Sequence, residues 1–173
     1  MSRNSRILWS EGLFLEPQHF QQHDRYMEGY VEGRVAALAA YGWGFQALEL
    51  ESDLSALGRL GLRSARGVFP DGTPFAMPDD DPLPAPLEVD ESVRDRIVYL
   101  ALPLRADGAV EVQRGSSSEG LFRYRAEDVE VRDSVLDSAA SSIVEVGRLN
   151  ARLALEGEAL EEYACIALAR IVE

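Results

Sequence analysis

The hydrophobic residues of the chain follow two spacings, one typical of a helix and one typical of strands. Beyond Pro17, apolar residues recur every three or four positions and form one helical stripe, made by Phe20, Met27, Val31, Val35 and Leu38. Proline is favoured at a first helical position, where its missing N–H costs nothing. Glycines follow at positions 42 and 44. The pattern therefore predicts a helix from Pro17 to about residue 40.

From residue 43 onward, short apolar segments alternate with turn signals. The predicted strands lie at residues 43–51, 60–66, 97–104, 121–126, 129–131 and 143–155. Pro70-Asp71-Gly72 is a turn signal, and Asp107-Gly108 predicts a hairpin into residues 109–114. Many short strands at this spacing are typical of a sandwich or barrel.

Three further segments lack a clear pattern of either kind. Residues 70–86 hold six of the eight prolines and three consecutive aspartates, so we expect an exposed, poorly paired segment. Residues 115–120 (GSSSEG) should be mobile. The tail, residues 158–173, is compatible with either a helix or a central strand.

Composition narrows the classes of partner and location. All 17 basic residues are arginine and the net charge is −13, which argues against binding to nucleic acid or to anionic membranes. The single cysteine, Cys165, cannot form a disulfide within the chain, which favours a reducing compartment. Residues 97–104 form the longest strongly apolar run and are too few to cross a bilayer. We therefore expect a cytoplasmic protein without a signal peptide.

Candidate chemistry is sparse. His19 and His23 lie four residues apart, so their rings project from the same side of the predicted helix, and a third ligand would complete a zinc site. The sequence HFQQH lacks the glutamate of zinc proteases, and packing is the better interpretation. Asp79, Asp80 and Asp81 lack the spacing of a calcium loop. We expect no enzyme activity, metal or cofactor, and keep a metal-dependent enzyme using both histidines as an alternative.

One long stretch is more specific than any of these motifs. Residues 7–31, ILWSEGLFLEPQHFQQHDRYMEGYV, resemble the opening of TssK, a family of type VI secretion system baseplate subunits. Residues 41–45 (YGWGF), 57–58, 65–73 (ARGVFPDGT) and 163–173 (YACIALARIVE) resemble later parts of the same region, in order. The resemblance covers essentially the whole chain.

The resemblance implies a fold and a set of partners. TssK proteins are longer than 173 residues, so the match is to their amino-terminal region, a β-sandwich "shoulder" like that of phage receptor-binding proteins. We expect an apolar arm at residues 1–16 and a helix plus β-sandwich domain at 17–173, with the tail as a strand. The implied partners are the wedge subunits TssF and TssG, further copies in a homotrimer, and membrane-complex subunits bound by the absent carboxy-terminal head. In the family, a helical-bundle neck lies between the shoulder and the head and reinforces the trimer; because it is also absent, we expect a monomer or a weak trimer.

The arm and the start of the helix are the expected protein-binding site. Exposed aromatic residues there would be costly in water and are typical interface anchors. The residues assigned to this site are Trp9, Glu11, Phe14, Leu15, Pro17, Gln18, His19, Phe20 and Tyr26. The opening could equally serve the folding of the shoulder, with Phe20, Met27 and Val31 holding the helix on the sandwich. A phage-type receptor or carbohydrate-binding module is the other alternative.

Overall fold

The computed structural model describes residues 5–55, 57–90, 92–106, 108–115, 120–135 and 141–172. The chain divides into two compact units, residues 1–42 and 43–173. The arm and the long helix share the first unit, and the strands make up the second. The domain boundary expected at residue 16 stays a prediction. Most of the loop at 115–120 lies outside the described residues.

The first unit contains α1, Pro17–Leu38, and the second contains a one-turn helix and the strands. In chain order these are β1 (Gly44–Leu50), α2 (Ser52–Ser55), β2 (Arg59–Leu60), β3 (Leu62–Val68), β4 (Pro74–Met77), β5 (Leu87–Glu88), β6 (Arg96–Pro103), β7 (Val112–Gln113), β8 (Tyr124–Arg132), β9 (Ser141–Leu149), β10 (Arg152–Leu155) and β11 (Tyr163–Ile171). The mainly β fold with one long amino-terminal helix is confirmed. No helix among these residues is long and apolar enough to cross a membrane.

Helix α1 begins and ends as its sequence predicts. Pro17 occupies the first turn, and the backbone leaves the helix at Ala39, where φ is −140° and ψ is 124°. The N–H of Ala39 still donates to the carbonyl of Val35 at 3.0 Å, which closes the last turn. The helix is therefore delimited by local backbone chemistry at both ends.

Two three-stranded antiparallel sheets form the sandwich, in the orders β1–β3–β4 and β10–β6–β11. Strand β6 is central, and its Val98, Leu100 and Leu102 are fully buried in one core cluster with Phe69 and Phe75. Alternate residues of a strand point to the same face, which is why these three side chains meet the opposite sheet. Truncating a core leucine such as Leu100 to alanine would cost about 2–5 kcal/mol.

The β3–β4 hairpin turns where Pro70-Asp71-Gly72 predicts it. Gly72 has φ of +86°, and its N–H donates to the carbonyl of Phe69 at 2.9 Å. The Asp71 carboxylate accepts from the N–H of Thr73 at 3.1 Å. Positive φ favours glycine, and the aspartate satisfies a turn N–H, so each residue has a defined role.

A buried arginine connects this turn to the opposite sheet. The Arg123 guanidinium forms an ion pair with Asp71, with Nη2 and Oδ2 separated by 2.8 Å. It also donates to the carbonyl of Pro103, at the end of β6, at 2.5 Å and to the hydroxyl of Thr73. Its donors therefore join the β3–β4 turn to the end of the central strand.

Four predicted strands differ in the structure. Strand β7 pairs in parallel with β8, through Val112 with Tyr124, so the hairpin expected after Asp107-Gly108 is wrong. Residues 121–126 and 129–131 contribute to a single strand, β8. Residues 143–155 contribute to two strands, β9 and β10, which belong to different sheets. Between them, the N–H and the side-chain amide of Asn150 donate to the carbonyls of Arg123 and Phe122. These bonds take the place of strand pairing at the point where the chain passes from one sheet to the other.

Hydrogen bonds to neighbouring strands hold both the tail and the proline-rich segment in place. Strand β11 runs antiparallel to the central β6, as the family resemblance implies. Much of 70–86 is exposed, but Asp81 accepts from the N–H of Leu149 at 3.0 Å, and Arg148 donates to the carbonyl of Asp80. The segment is therefore better anchored than its composition predicts.

Candidate protein-binding surface

The described part of the arm, residues 5–16, folds back along α1. The side-chain amide of Gln22 donates to the carbonyl of Ser5 at 2.9 Å, and its oxygen accepts from Nε of Arg25 at 3.1 Å. Gln22 is the one buried residue of α1. A buried amide must be hydrogen-bonded to be tolerated, and here the arm supplies one partner and the helix the other.

The junction of arm and helix is closed by His19. The N–H of Glu16 donates to Nδ1 of His19 at 3.1 Å, and the N–H of His19 donates to the carbonyl of Glu16 at 3.0 Å. Four amide groups lack helical partners at the start of a helix, and this side chain covers the N-cap amide. Nδ1 of His19 is therefore the acceptor that covers the first amide of the helix start.

Both predicted histidines pack against the arm. The ring centroid of Trp9 lies 6.4 Å from that of His19 and 6.3 Å from that of His23. Over the residues with described positions, no group of three His, Cys, Asp or Glu side chains is placed to hold a metal ion. The four-residue spacing of His19 and His23, which suggested a zinc site, thus places both imidazole rings against the indole of Trp9.

The other predicted site residues lie on the same unit but do not form one cluster. Phe14 is 88% exposed, and Leu15 and Phe20 are each exposed by more than half. Tyr26 is half-buried and stacks on Tyr30, with ring centroids 6.3 Å apart. Glu11, Pro17 and Gln18 are exposed. The surface therefore combines a part where Trp9, itself 52% exposed, packs against His19 with an uncovered apolar part around Phe14.

Sequence reasoning missed Gln22, which does not belong to the apolar stripe of the helix. The signal available was weak: a glutamine carries both donor and acceptor, but so does its exposed neighbour Gln21. Which of the two the arm bonds depends on where the arm lies. That position is set by tertiary structure rather than by local spacing.

The strand unit offers little for the carbohydrate-binding alternative. Sugar platforms are typically aromatic, and among the described residues of 43–173 only Trp43 is an exposed large aromatic side chain. The other exposed large apolar side chains of that unit are aliphatic, including Val131, Ile143 and Val144 on β8 and β9. Arg114, which follows β7, forms an ion pair with Glu145 of β9, with Nη2 and Oε1 separated by 2.5 Å.

Comparison with known proteins shows the family to which the chain belongs. A family model described as bacterial type VI secretion, with members VC_A0110, EvfL, ImpJ and VasE, matches residues 19–173. The chain belongs to this family. Within it, the type VI secretion system baseplate component TssK1 of Pseudomonas aeruginosa is 50% identical over 173 residues, all of this chain and 39% of TssK1. The predicted resemblance to the amino-terminal region of TssK is confirmed.

Solved TssK structures share the fold. A crystal structure of TssK matches with a TM-score of 0.90 and 37% identity, over 98% of this chain and 38% of that one. A cryo-electron microscopy structure of a TssK–TssF–TssG baseplate subcomplex matches with a TM-score of 0.84 and 30% identity, over 97% of this chain and 56% of the other. The chain spans 39% of the length of TssK1, so it represents a part of the family's architecture.

Proposed function

We propose that this chain is a structural module of a type VI secretion baseplate, which docks to the wedge subunits TssF and TssG through the arm and the start of α1. The observation that carries the proposal is the combination of family membership with exposed aromatic and aliphatic side chains at Phe14 and Leu15. The relative solved in complex with TssF and TssG supports the choice of partner.

Physical chemistry favours a protein partner for this surface. Phe14 and Leu15 adjoin Glu16 and Pro17, so the apolar patch is bordered by a charge and by a rigid helix start. Interfaces commonly place aromatic anchors inside a polar rim, and a few such anchors supply most of the binding energy. The hydrogen bonds of Gln22 and His19 hold the arm in place before binding, which lowers the entropy cost of docking.

The wider assembly belongs to the same proposal. In the full-length protein, a homotrimer would present three such modules, and the region beyond residue 173 would contact the membrane complex. The module itself would work in the cytoplasm and carry no catalytic step. Because this chain spans 39% of the length of TssK1, these roles are inferred from family membership and not from contacts within the chain.

Co-elution tests the docking proposal directly. The purified chain is mixed with a TssF–TssG complex and run on size exclusion, with circular dichroism confirming that the chain is folded. We expect the chain to shift into the TssF–TssG peak. A folded chain that elutes alone at concentrations well above micromolar would overturn the proposal.

A further inference from the structure

The bond that closes the start of α1 needs an imidazole nitrogen without a proton. Nδ1 of His19 accepts from the N–H of Glu16 at 3.1 Å, and a ring nitrogen accepts only while it is unprotonated. An ordinary histidine takes up a second proton at about pH 6.5, and both nitrogens of the resulting imidazolium are donors. Protonation of His19 therefore places two donors, Nδ1–H and the N–H of Glu16, against each other.

The same ring also takes part in the packing of the arm. The indole of Trp9 lies against both imidazoles, with its ring centroid 6.4 Å from that of His19 and 6.3 Å from that of His23. A protonated His19 leaves the donor–donor contact only by turning away from the N–H of Glu16, and this movement changes the surface on which Trp9 packs. The protonation state of one ring is therefore coupled to the position of the arm.

Positive charge is unfavourable at this end of the helix. His19 is the third residue of α1, and the partial positive charge at the amino terminus of a helix repels a cation within the first turn. A second imidazolium at His23, one turn further on, adds like-charge repulsion. Of the arginines nearby, Arg6 of the arm is exposed and Arg25 donates to Gln22. The helix dipole and the neighbouring cations therefore oppose a charge on His19.

Attractive groups around His19 act in the other direction, but weakly. Glu11 and Glu16 of the arm and Asp24 of the helix are exposed, and none of them forms an ion pair with either imidazole within the described part of the chain. Water and salt screen such exposed charges. Trp9 is 52% exposed, so its attraction for a cation is small as well. The lost hydrogen bond and the helix dipole therefore decide the effect of protonation.

We infer that His19 is a pH-sensitive switch, which holds the junction of arm and helix closed when it is neutral and opens the junction when it is protonated. The closed form is present at neutral pH and is lost as the pH falls below about 6.5. Opening changes how the arm presents Trp9 and its neighbours. The opening itself is a property of this chain, whereas its consequence for binding to TssF–TssG rests on the proposed function.

Nuclear magnetic resonance of the chain alone tests the switch, with spectra recorded at about pH 7.5 and about pH 5.5. One readout is hydrogen exchange at the amide of Glu16, corrected for the intrinsic dependence of exchange on pH. Because that amide loses its acceptor, we expect its protection to fall by about tenfold in acid. The second readout is the cross-relaxation between the rings of Trp9 and His19, which should weaken in acid as the arm moves.

Three substitutions identify the ring that is responsible. Glutamine accepts the N-cap N–H at this position of a capping box and gains no proton, so His19→Gln should keep Glu16 protected at both pH values. His19→Ala has no acceptor and should exchange at both pH values as fast as the wild type does in acid. His23→Gln is the matched control, which removes the other imidazole and should retain the pH dependence of the wild type.

Circular dichroism at both pH values separates opening of the junction from loss of α1. The inference is overturned by a folded wild-type chain whose Glu16 amide is equally protected at both pH values, by a His19→Ala chain that keeps the pH dependence, or by a His23→Gln chain that loses it. A junction that opens in acid in a chain that does not co-elute with TssF–TssG supports the switch and contradicts the docking proposal. Co-elution of a chain whose junction ignores pH does the reverse.

Discussion

Arg123 and Asp71 form an ion pair of 2.8 Å between side chains that are 1% and 17% exposed. Asp71 belongs to the β3–β4 turn, and Arg123 immediately precedes β8. A buried cation needs an opposite charge beside it, and Asp71 supplies that charge although Nε of Arg123 has no hydrogen-bond partner among the described residues. The pair therefore links the position of the turn to the approach of the β8–β9 strands.

Removing Asp71 should destabilise the chain strongly. Asp71→Ala leaves the Arg123 guanidinium buried without its counter-charge, and losing one member of a buried pair costs about 3–5 kcal/mol. Asp79→Ala is the matched control, because its ion pair with Arg66 at 3.2 Å is exposed and should contribute less than about 1 kcal/mol. Urea denaturation measures both, and equal losses for the two variants would contradict the role assigned to Arg123.

Gln22 should hold the arm to the helix. Gln22→Ala removes the bond to the Ser5 carbonyl, at a cost of about 1 kcal/mol, and should speed hydrogen exchange in residues 5–13. Gln21→Ala, on an exposed neighbour, is the control and should leave exchange unchanged. The arm would have a different anchor if both variants exchanged like the wild type while α1 remained intact.

Glu145 should give the β8–β9 strands a pH-dependent contribution to stability. The hydrogen bond from Arg114, with the charge of that guanidinium, lowers the pKa of Glu145. A carboxylate with a lowered folded-state pKa stabilises the fold above its unfolded pKa and loses that contribution as the pH falls through the folded value. The stability gap between wild type and Glu145→Gln should therefore be present at neutral pH and close in acid. A gap that widens in acid would reverse the sign assigned to this pair.

Much of the fold could be predicted because its signals are local. Pro17 at the start of α1 and Pro70-Asp71-Gly72 between β3 and β4 act through their own φ angles and side chains, so neighbouring sequence suffices. The prediction of a hairpin leading into β7 was wrong because Gly108 indicates a turn but not which strand the following residues pair with. Strand β7 instead pairs in parallel with β8, where Val112 lies beside Tyr124, twelve residues later in the chain.

The sequence indicated which residues belong to the candidate surface more fully than how those residues are positioned. The aromatic content of the arm indicated an interaction surface, and the family resemblance gave it a partner class. The bond of Gln22 to Ser5 and the packing of Trp9 on both histidines depend on the arm reversing direction, through a turn in which the N–H of Leu13 donates to Ser10. No periodic pattern encodes that reversal.

Phe14 separates a docking role from a folding role. Because its side chain is 88% exposed, Phe14→Ala should change the free energy of unfolding by no more than about 0.5 kcal/mol. If Phe14 anchors a partner, the same variant should weaken binding to TssF–TssG by about tenfold or more. Val110→Ala, an exposed apolar residue of the strand unit, provides the control.

The most direct measurement is an isothermal titration of TssF–TssG with the wild-type chain, Phe14→Ala and Val110→Ala. We expect the wild type and Val110→Ala to bind alike, and Phe14→Ala to bind at least about tenfold more weakly with unchanged stability. Equal binding by all three chains would contradict the claim that the arm is the docking surface.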